Sequence, residues 1–363
     1  MREHILARVV DRWGAHVRSL SASHLTEGPM KSTLRNGAFL AALTATFAVV
    51  AFVASGTQAQ QVPAPKPSEN RVTEAQLDKW MQELSNWGRW GKDDVLGALN
   101  TITPEKRRQA ATLVRTGETV SLSHDLVVGG VKTEYVLPFF LQMRIVPERQ
   151  VVRDRQDIDP HGNGGGSHID ALCHMAYKGR FYNNFSYTES VTPEKGCKLG
   201  INNVKDGIVT RGVLLDIPRL RNLPSLERGT HVYREDIEAW EKQAGVKVSP
   251  GDALLLRTRG SGGYDASFLP VLKDRDVAVL GSDSSQDVGV VPGCKPGTGP
   301  TMCWLPVHKF ALVARGMHLF DGLDLEAVAA TAARLKRWEF LLVAAPIRVP
   351  GGSGAPLNPI AVF

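Results

Sequence analysis

Apolar residues along this chain recur with two different periods. Leu77, Trp80, Met81 and Leu84 fall at helical spacing behind Thr73, a good N-cap residue, and Gln76 stands where a capping box needs it. A second helix starts at Thr103-Pro104, because proline at the first helical position gives up no hydrogen bond. The pattern then changes. VSLSHDLVV from Val120 and YVLPFFLQMRIV from Tyr135 read as strands, followed by GVLLDI from Gly212, ALLLRT from Ala253, VAVLGSD from Val277 and FLLVAAPI from Phe340. These later runs are nearly continuous in apolar residues, as in strands covered on both faces. Helical patterns at Arg234 to Ala244 and Leu325 to Arg337 alternate with them, so the fold class is mixed α/β. No linker divides residues 73–363, and about 300 residues can close around one core, so a single large domain is expected.

The first sixty residues follow other rules. From Met30, Lys31 and Arg35 precede an apolar run, Ala38 to Ala54, with small residues near Thr57 and Ala59. That is the layout of a secretory signal over residues 30–60, cleaved near Ala59 or Gln60, and an uncleaved anchor is the alternative. Residues 1–29 then read as an over-extended start, and residues 61–72, Pro-rich and polar, as a flexible lead. The expected location is exported, periplasmic or secreted, with no membrane span in the mature form. Removing residues 1–60 takes away six basic and three acidic residues, so the formal net charge falls from +6 to +3. Without a basic cluster interleaved with aromatics, nucleic-acid binding has no support.

Cys173, Cys197, Cys294 and Cys303 remain. In an exported protein Cys294 and Cys303 could close the short loop GCKPGTGPTMC, the alternative being four buried thiols. No C-x-x-C spacing suggests a cysteine-only zinc site, and no Gly-x-Ser-x-Gly elbow suggests a serine hydrolase. Ser282 to Ser285 read as a loop.

The candidate chemistry sits in GGGSHIDALCH. In an extended segment His168, Asp170 and His174 share one face; if the chain turns helical after Asp170, Asp170 and His174 become neighbours one turn apart. Either arrangement lets them meet around one ion or substrate, and the glycines ahead allow close backbone approach. Imidazole with carboxylate suits zinc, manganese or iron. A second polar cluster lies in PVHKFALVARGMHLFDGLDLEAV, where His308 and Asp321 flank an apolar stretch and His318 reads as a core residue. Trp87 and Trp90, in NWGRWGKDDVLGALNTITPEKRR, either pack or wall a pocket for a planar substrate.

Together these segments resemble the putative cyclase family, whose characterised members include bacterial kynurenine formamidase (arylformamidase) and isatin hydrolase. GSHIDALCH matches the second half of the family's His-x-Gly-Thr-His-x-Asp-x-x-x-His. NWGRWGKDDVLGALNTITPEK, DGIVTRGVLLDIPR, VSPGDALLLRT, LGSDSSQDV and RWEFLLVAAPIRVPGGSGAPLNPIAVF are similar to its longer members. The resemblance implies a swivelling β/β/α fold, a divalent metal, zinc or manganese, and hydrolysis of an amide or lactam on an aromatic ring. By position it makes His168 and Asp170 metal ligands and His174 the general acid/base. It lets His308 and Asp321 complete the metal site, and Lys178, Tyr182 and Asn183 line the pocket. A homo-oligomer would fit the family. One departure stands out: Gly164 occupies the place of the family's first histidine, and His161, seven residues before His168, is the nearest substitute.

The chemistry expected is attack on a carbonyl by metal-activated water, with His174 moving the proton near neutrality to the departing nitrogen. The alternatives are a metal-deficient binding protein on the same fold, motivated by Gly164, and a cyclase or lyase. A role in tryptophan breakdown follows only by analogy and sits poorly with export.

Overall fold

In the computed structural model the described residues are 72–129, 137–162, 166–260, 262–288 and 304–363. The leader expected over residues 1–60, most of the 61–72 lead, Gly164, Cys294 and Cys303 lie outside them. Among the described residues no helix is long and apolar enough to cross a membrane.

Local signals account for most elements. Thr73 accepts a hydrogen bond from the Gln76 amide at 3.2 Å and opens the helix Glu74–Glu83, which buries Leu77 and Met81. Thr103 does the same for Lys106 at 3.1 Å, with Pro104 leading the helix Pro104–Ala111. The apolar runs become strands of one mixed sheet. In chain order these are β1 (Thr119–Ser121), β2 (His168–Asp170), β3 (Ile208–Asp216), β4 (Ala253–Arg257) and β5 (Val279–Ser282). They continue as β6 (His318–Asp321), β7 (Glu339–Ala344), β8 (Gly354–Pro356) and β9 (Ile360–Val362). Ser282, read above as part of a loop, ends β5.

The spatial order is β1-β9-β7-β3-β4-β5-β6-β2-β8. β3 to β6 pair in parallel as the centre, and the strands on both sides are antiparallel. The centre matches the continuous apolar runs: β3 is buried along almost its whole length and β5 throughout. The helices Arg234–Ala244 and Glu326–Leu335 pack their buried residues, Ile237, Trp240, Val328 and Ala332 among them, into this core. The result is a mixed α/β domain built on one large sheet.

Two features depart from the expected pattern. Phe140–Val146 and Val151–Asp157 form an antiparallel ribbon on their own, and nearly every residue in it is exposed. Cys173 and Cys197 form a disulfide with their Cα atoms 6.5 Å apart, so these two are not free thiols.

The tryptophan-rich segment is anchored to the body of the domain. Asn86 donates to the Arg315 carbonyl at 2.9 Å, Trp87 Nε1 to the Val313 carbonyl at 2.6 Å, and Arg89 makes two 2.7 Å bonds to Asp276. Arg315, fully buried, returns a bond to the Leu84 carbonyl at 2.7 Å. At Gly97 the two backbones meet so closely that a Cβ would lie 2.0 Å from the Gly316 oxygen, and only glycine fits.

Candidate metal centre

β2 is three residues long, and its alternation places His168 and Asp170 on one face with Ile169 buried on the other. Its neighbour β6 runs antiparallel in a register that sets Asp321 directly opposite His168. Residues 153 positions apart are thereby brought together. After Asp170 the chain neither stays extended nor turns helical. The His174 amide donates to the Ala171 carbonyl at 2.9 Å in a tight turn, which brings the His174 ring back onto His161, stacked at 3.8 Å between centroids.

His161 comes from the turn after the exposed ribbon. Its Nδ1 lies 3.1 Å from Asp170 Oδ1, and its Nε2 lies 3.1 Å from Ser353 Oγ. Space for the ring depends on β8: a Cβ on Gly354 would meet His161 Cε1 at 2.7 Å and the Ile169 carbonyl at 2.6 Å. His168 Nε2 is 3.6 Å from the same Asp170 oxygen, while its Nδ1 bonds the Gly166 carbonyl at 3.1 Å.

The other side is built from the helix Pro306–Lys309. His308 Nε2 lies 2.9 Å from Asp321 Oδ2 and 3.7 Å from Asp170 Oδ2, and its Nδ1 lies 2.6 Å from Asp287 Oδ2. Asp287 also accepts the Val307 and His308 amides at 2.7 and 3.2 Å. Gln286 donates to Asp321 Oδ1 at 2.7 Å and to the Phe320 carbonyl at 2.9 Å.

Asp170 is the hub. It is 1% exposed, yet neither of its oxygens has a hydrogen-bond partner, nor does His161 Nδ1 beside it. A buried carboxylate without partners is costly unless something positive faces it. Burial pushes the Asp170 carboxyl up, but the charge of His174, the close approach of His161 Nδ1 and the charges of His168 and His308 outweigh it and hold the group well below the usual carboxylate range. Burial pulls His308 down, but Asp321 and Asp287 more than reverse this and hold it well above the ordinary histidine value. Burial, partly offset by the Asp170 charge, takes His174 down to about 4. Its ring is therefore neutral through the neutral range. The donor atoms of His161, His168 and Asp170, and those of Asp170, His308 and Asp321, lie within 4.8 Å of one another in each group. Nitrogen and carboxylate oxygen converging at this spacing fit a divalent cation.

The five residues proposed as pocket walls make contacts of their own. Trp87 bonds the Val313 carbonyl, Trp90 packs under Arg89 at 4.5 Å, and Lys178 reaches Asp78 at 2.9 Å. Tyr182 donates to Asp94 at 2.9 Å and Asn183 to the Gly91 carbonyl at 2.9 Å, so both clamp the tryptophan-rich segment. No described contact joins any of the five to the His/Asp cluster. His318 is buried in β6, and burial, with a smaller opposing effect of Asp170, takes it to about 4. Conversely, Gln286, Asp287 and Ser353 contact the cluster, and sequence reasoning gave them no role.

Comparison with known proteins agrees with the motifs. The family profile of putative cyclases matches residues 120–287, and a crystal structure described as a novel cyclase shares 30% identity. That alignment covers 78% of this chain and 99% of the other, with a TM-score of 0.70. The chain belongs to the putative cyclase family. The profile match ends before His308 and Asp321, which β6 and the helix Pro306–Lys309 bring into the His/Asp cluster. An isatin hydrolase bound to the product analogue thioisatinate matches at 15% identity, covering 70% of this chain and 96% of that one, with a TM-score of 0.49. Isatin hydrolase A from Ralstonia solanacearum matches at 18%, covering 70% and 95%, with a TM-score of 0.46. No curated protein matches.

Proposed function

We propose that this member of the cyclase family is a metal-dependent hydrolase that cleaves an amide or lactam C–N bond attached to an aromatic ring, an arylformamidase-like activity outside peptide bonds. The observation that carries the reading is Asp170, fully buried, both oxygens unpartnered, with His161, His168 and His308 around it. His161 at 3.1 Å supports its reading as the substitute for the histidine missing at Gly164, because a second imidazole reaches the carboxylate by another route. His161, His168 and Asp170, with His308 and Asp321 on the far side, would hold zinc or manganese. Such an ion supplies Lewis acidity, which acidifies water and polarises a carbonyl.

The chain's own residues supply the rest. Asp170 and Asp321 provide the negative charge that draws a cation in, and their burial strengthens that field. His174, neutral and stacked on His161, takes a proton from water and passes it to the leaving nitrogen. The substrate class rests on the likeness of GSHIDALCH and its companion segments to family members. Export rests on the layout of residues 30–60, and the Cys173–Cys197 disulfide fits an oxidising compartment.

The test is metal analysis of the purified protein combined with a hydrolysis screen on formanilides and aryl lactams. Asp170→Ala should lose both metal and activity. His174→Asn should keep the metal and slow turnover by roughly 10² to 10⁴. A wild type that neither binds zinc or manganese nor hydrolyses these substrates would sink the proposal.

A further inference from the structure

Gln286 and Asp287 lie a few residues past the end of β5, and each grips one of the late donors. The Gln286 amide is fully buried, with two acceptors facing it, Asp321 Oδ1 and the Phe320 carbonyl, so it must present its NH2 group to both. Asp321 then has one oxygen occupied and Oδ2 left facing His308. Asp287 accepts from His308 Nδ1 at 2.6 Å while also capping the backbone amides of Val307 and His308. An acceptor-only carboxylate at Nδ1 keeps a proton on that nitrogen, so Nε2, which faces Asp170 and Asp321, is the nitrogen free to give up its proton to a cation. From this geometry we infer that Gln286 and Asp287 are positioning residues: Asp287 selects the His308 tautomer that offers Nε2, and Gln286 selects the Asp321 oxygen that points into the centre.

The inference rests on the metal-centre reading above, and it differs from a purely structural role in one respect. Asparagine caps a helix as well as aspartate does, so Asp287→Asn keeps the Val307 amide bond. Its NH2 group can replace Oδ2 as the partner of His308, and it would then donate to Nδ1 and force the proton onto Nε2, the nitrogen the centre needs bare. Gln286→Met keeps the volume and removes both donors.

Zinc and manganese affinities are measured by chelator competition on the whole protein, and ring N–H protons by NMR of histidine-labelled samples. Both variants should melt close to wild type but bind metal roughly 10- to 100-fold more weakly, the usual effect of losing a group that orients a ligand. In metal-free wild type the His308 Nδ1 proton, assigned by its absence in His308→Ala, should exchange slowly, and it should vanish in Asp287→Asn. Unchanged affinity in both variants overturns the inference, as does a ring proton that survives in Asp287→Asn. If wild type binds neither ion, the proposed function fails, and the ring proton still decides the role of Asp287.

Discussion

Replacing Lys106 with methionine tests whether the N-terminal helices are held by a buried charge or by apolar packing alone. Lys106 Nζ lies 2.5 Å from Asp252 Oδ1 and 3.0 Å from Ser249 Oγ, and the Lys106 and Asp252 side chains are 7% and 0% exposed. The other donors to Asp252, from Arg211 at 3.3 Å and from Ser249 N and Oγ at 2.8 and 3.1 Å, all sit on Oδ2. Methionine keeps most of the buried stem but leaves Oδ1 bare. Breaking a buried pair costs about 3–5 kcal/mol, and the three donors that remain place this case near the lower end, about 3 kcal/mol. For roughly 290 residues that corresponds to a melting point lowered by about 5 °C, with a matching fall in the guanidinium midpoint. The loss should also depend on pH. Burial raises Asp252 above its ordinary value against the pull of Arg211 and Lys106, and removing Lys106 raises it further. A carboxyl raised in the folded state takes up a proton that the unfolded chain does not, so stability falls as pH rises through the raised value. The deficit of Lys106→Met is therefore largest at neutral pH and smallest in acid, where Asp252 is protonated. A loss under about 1 kcal/mol, or one equal at both pH values, would refute the reasoning.

Other sites yield sharper single readings. Replacing Cys173 and Cys197 with serine removes a cross-link spanning 24 positions and should cost about 3.5 kcal/mol by chain entropy, read as a lowered denaturant midpoint equal to that of the reduced wild type. At Asp276, burial is outweighed by the Arg89 hydrogen bonds and the charges of Arg89 and Arg315, so its folded value lies below the ordinary one. The stability this lends is complete above the ordinary carboxylate range and is lost as pH falls through the lowered value. Asp276→Asn should accordingly lose about 2 kcal/mol at pH 7 in thermal melts and almost nothing under strongly acid conditions. Gly354→Ala should push His161 off Asp170 and weaken zinc binding at least tenfold in chelator competition, and an unchanged affinity would show that His161 is not needed.

The periodic part of the molecule was written locally. Thr73 and Thr103-Pro104 start helices where the capping rules place them, and the continuous apolar runs became the buried strands, because caps and side-chain periods depend only on neighbours in sequence. The same period-two rule put His168 and Asp170 on one face. What no local rule contains is which strand lies beside which. Only the pairing of β2 with β6 set Asp321 opposite His168, and only the segment after β5 gave His308 and Asp321 their partners in Asp287 and Gln286. Spacing said nothing of a partner for Cys173, and folding brings Cys197 to it from 24 positions away. Tyr182 and Asn183, read as pocket walls, also fasten the tryptophan-rich segment, a contact that sequence could not show because a side chain's partner is decided by which backbone reaches it. The residue types for a metal centre were present along the chain, but their convergence on one buried carboxylate was decided by the register of the sheet.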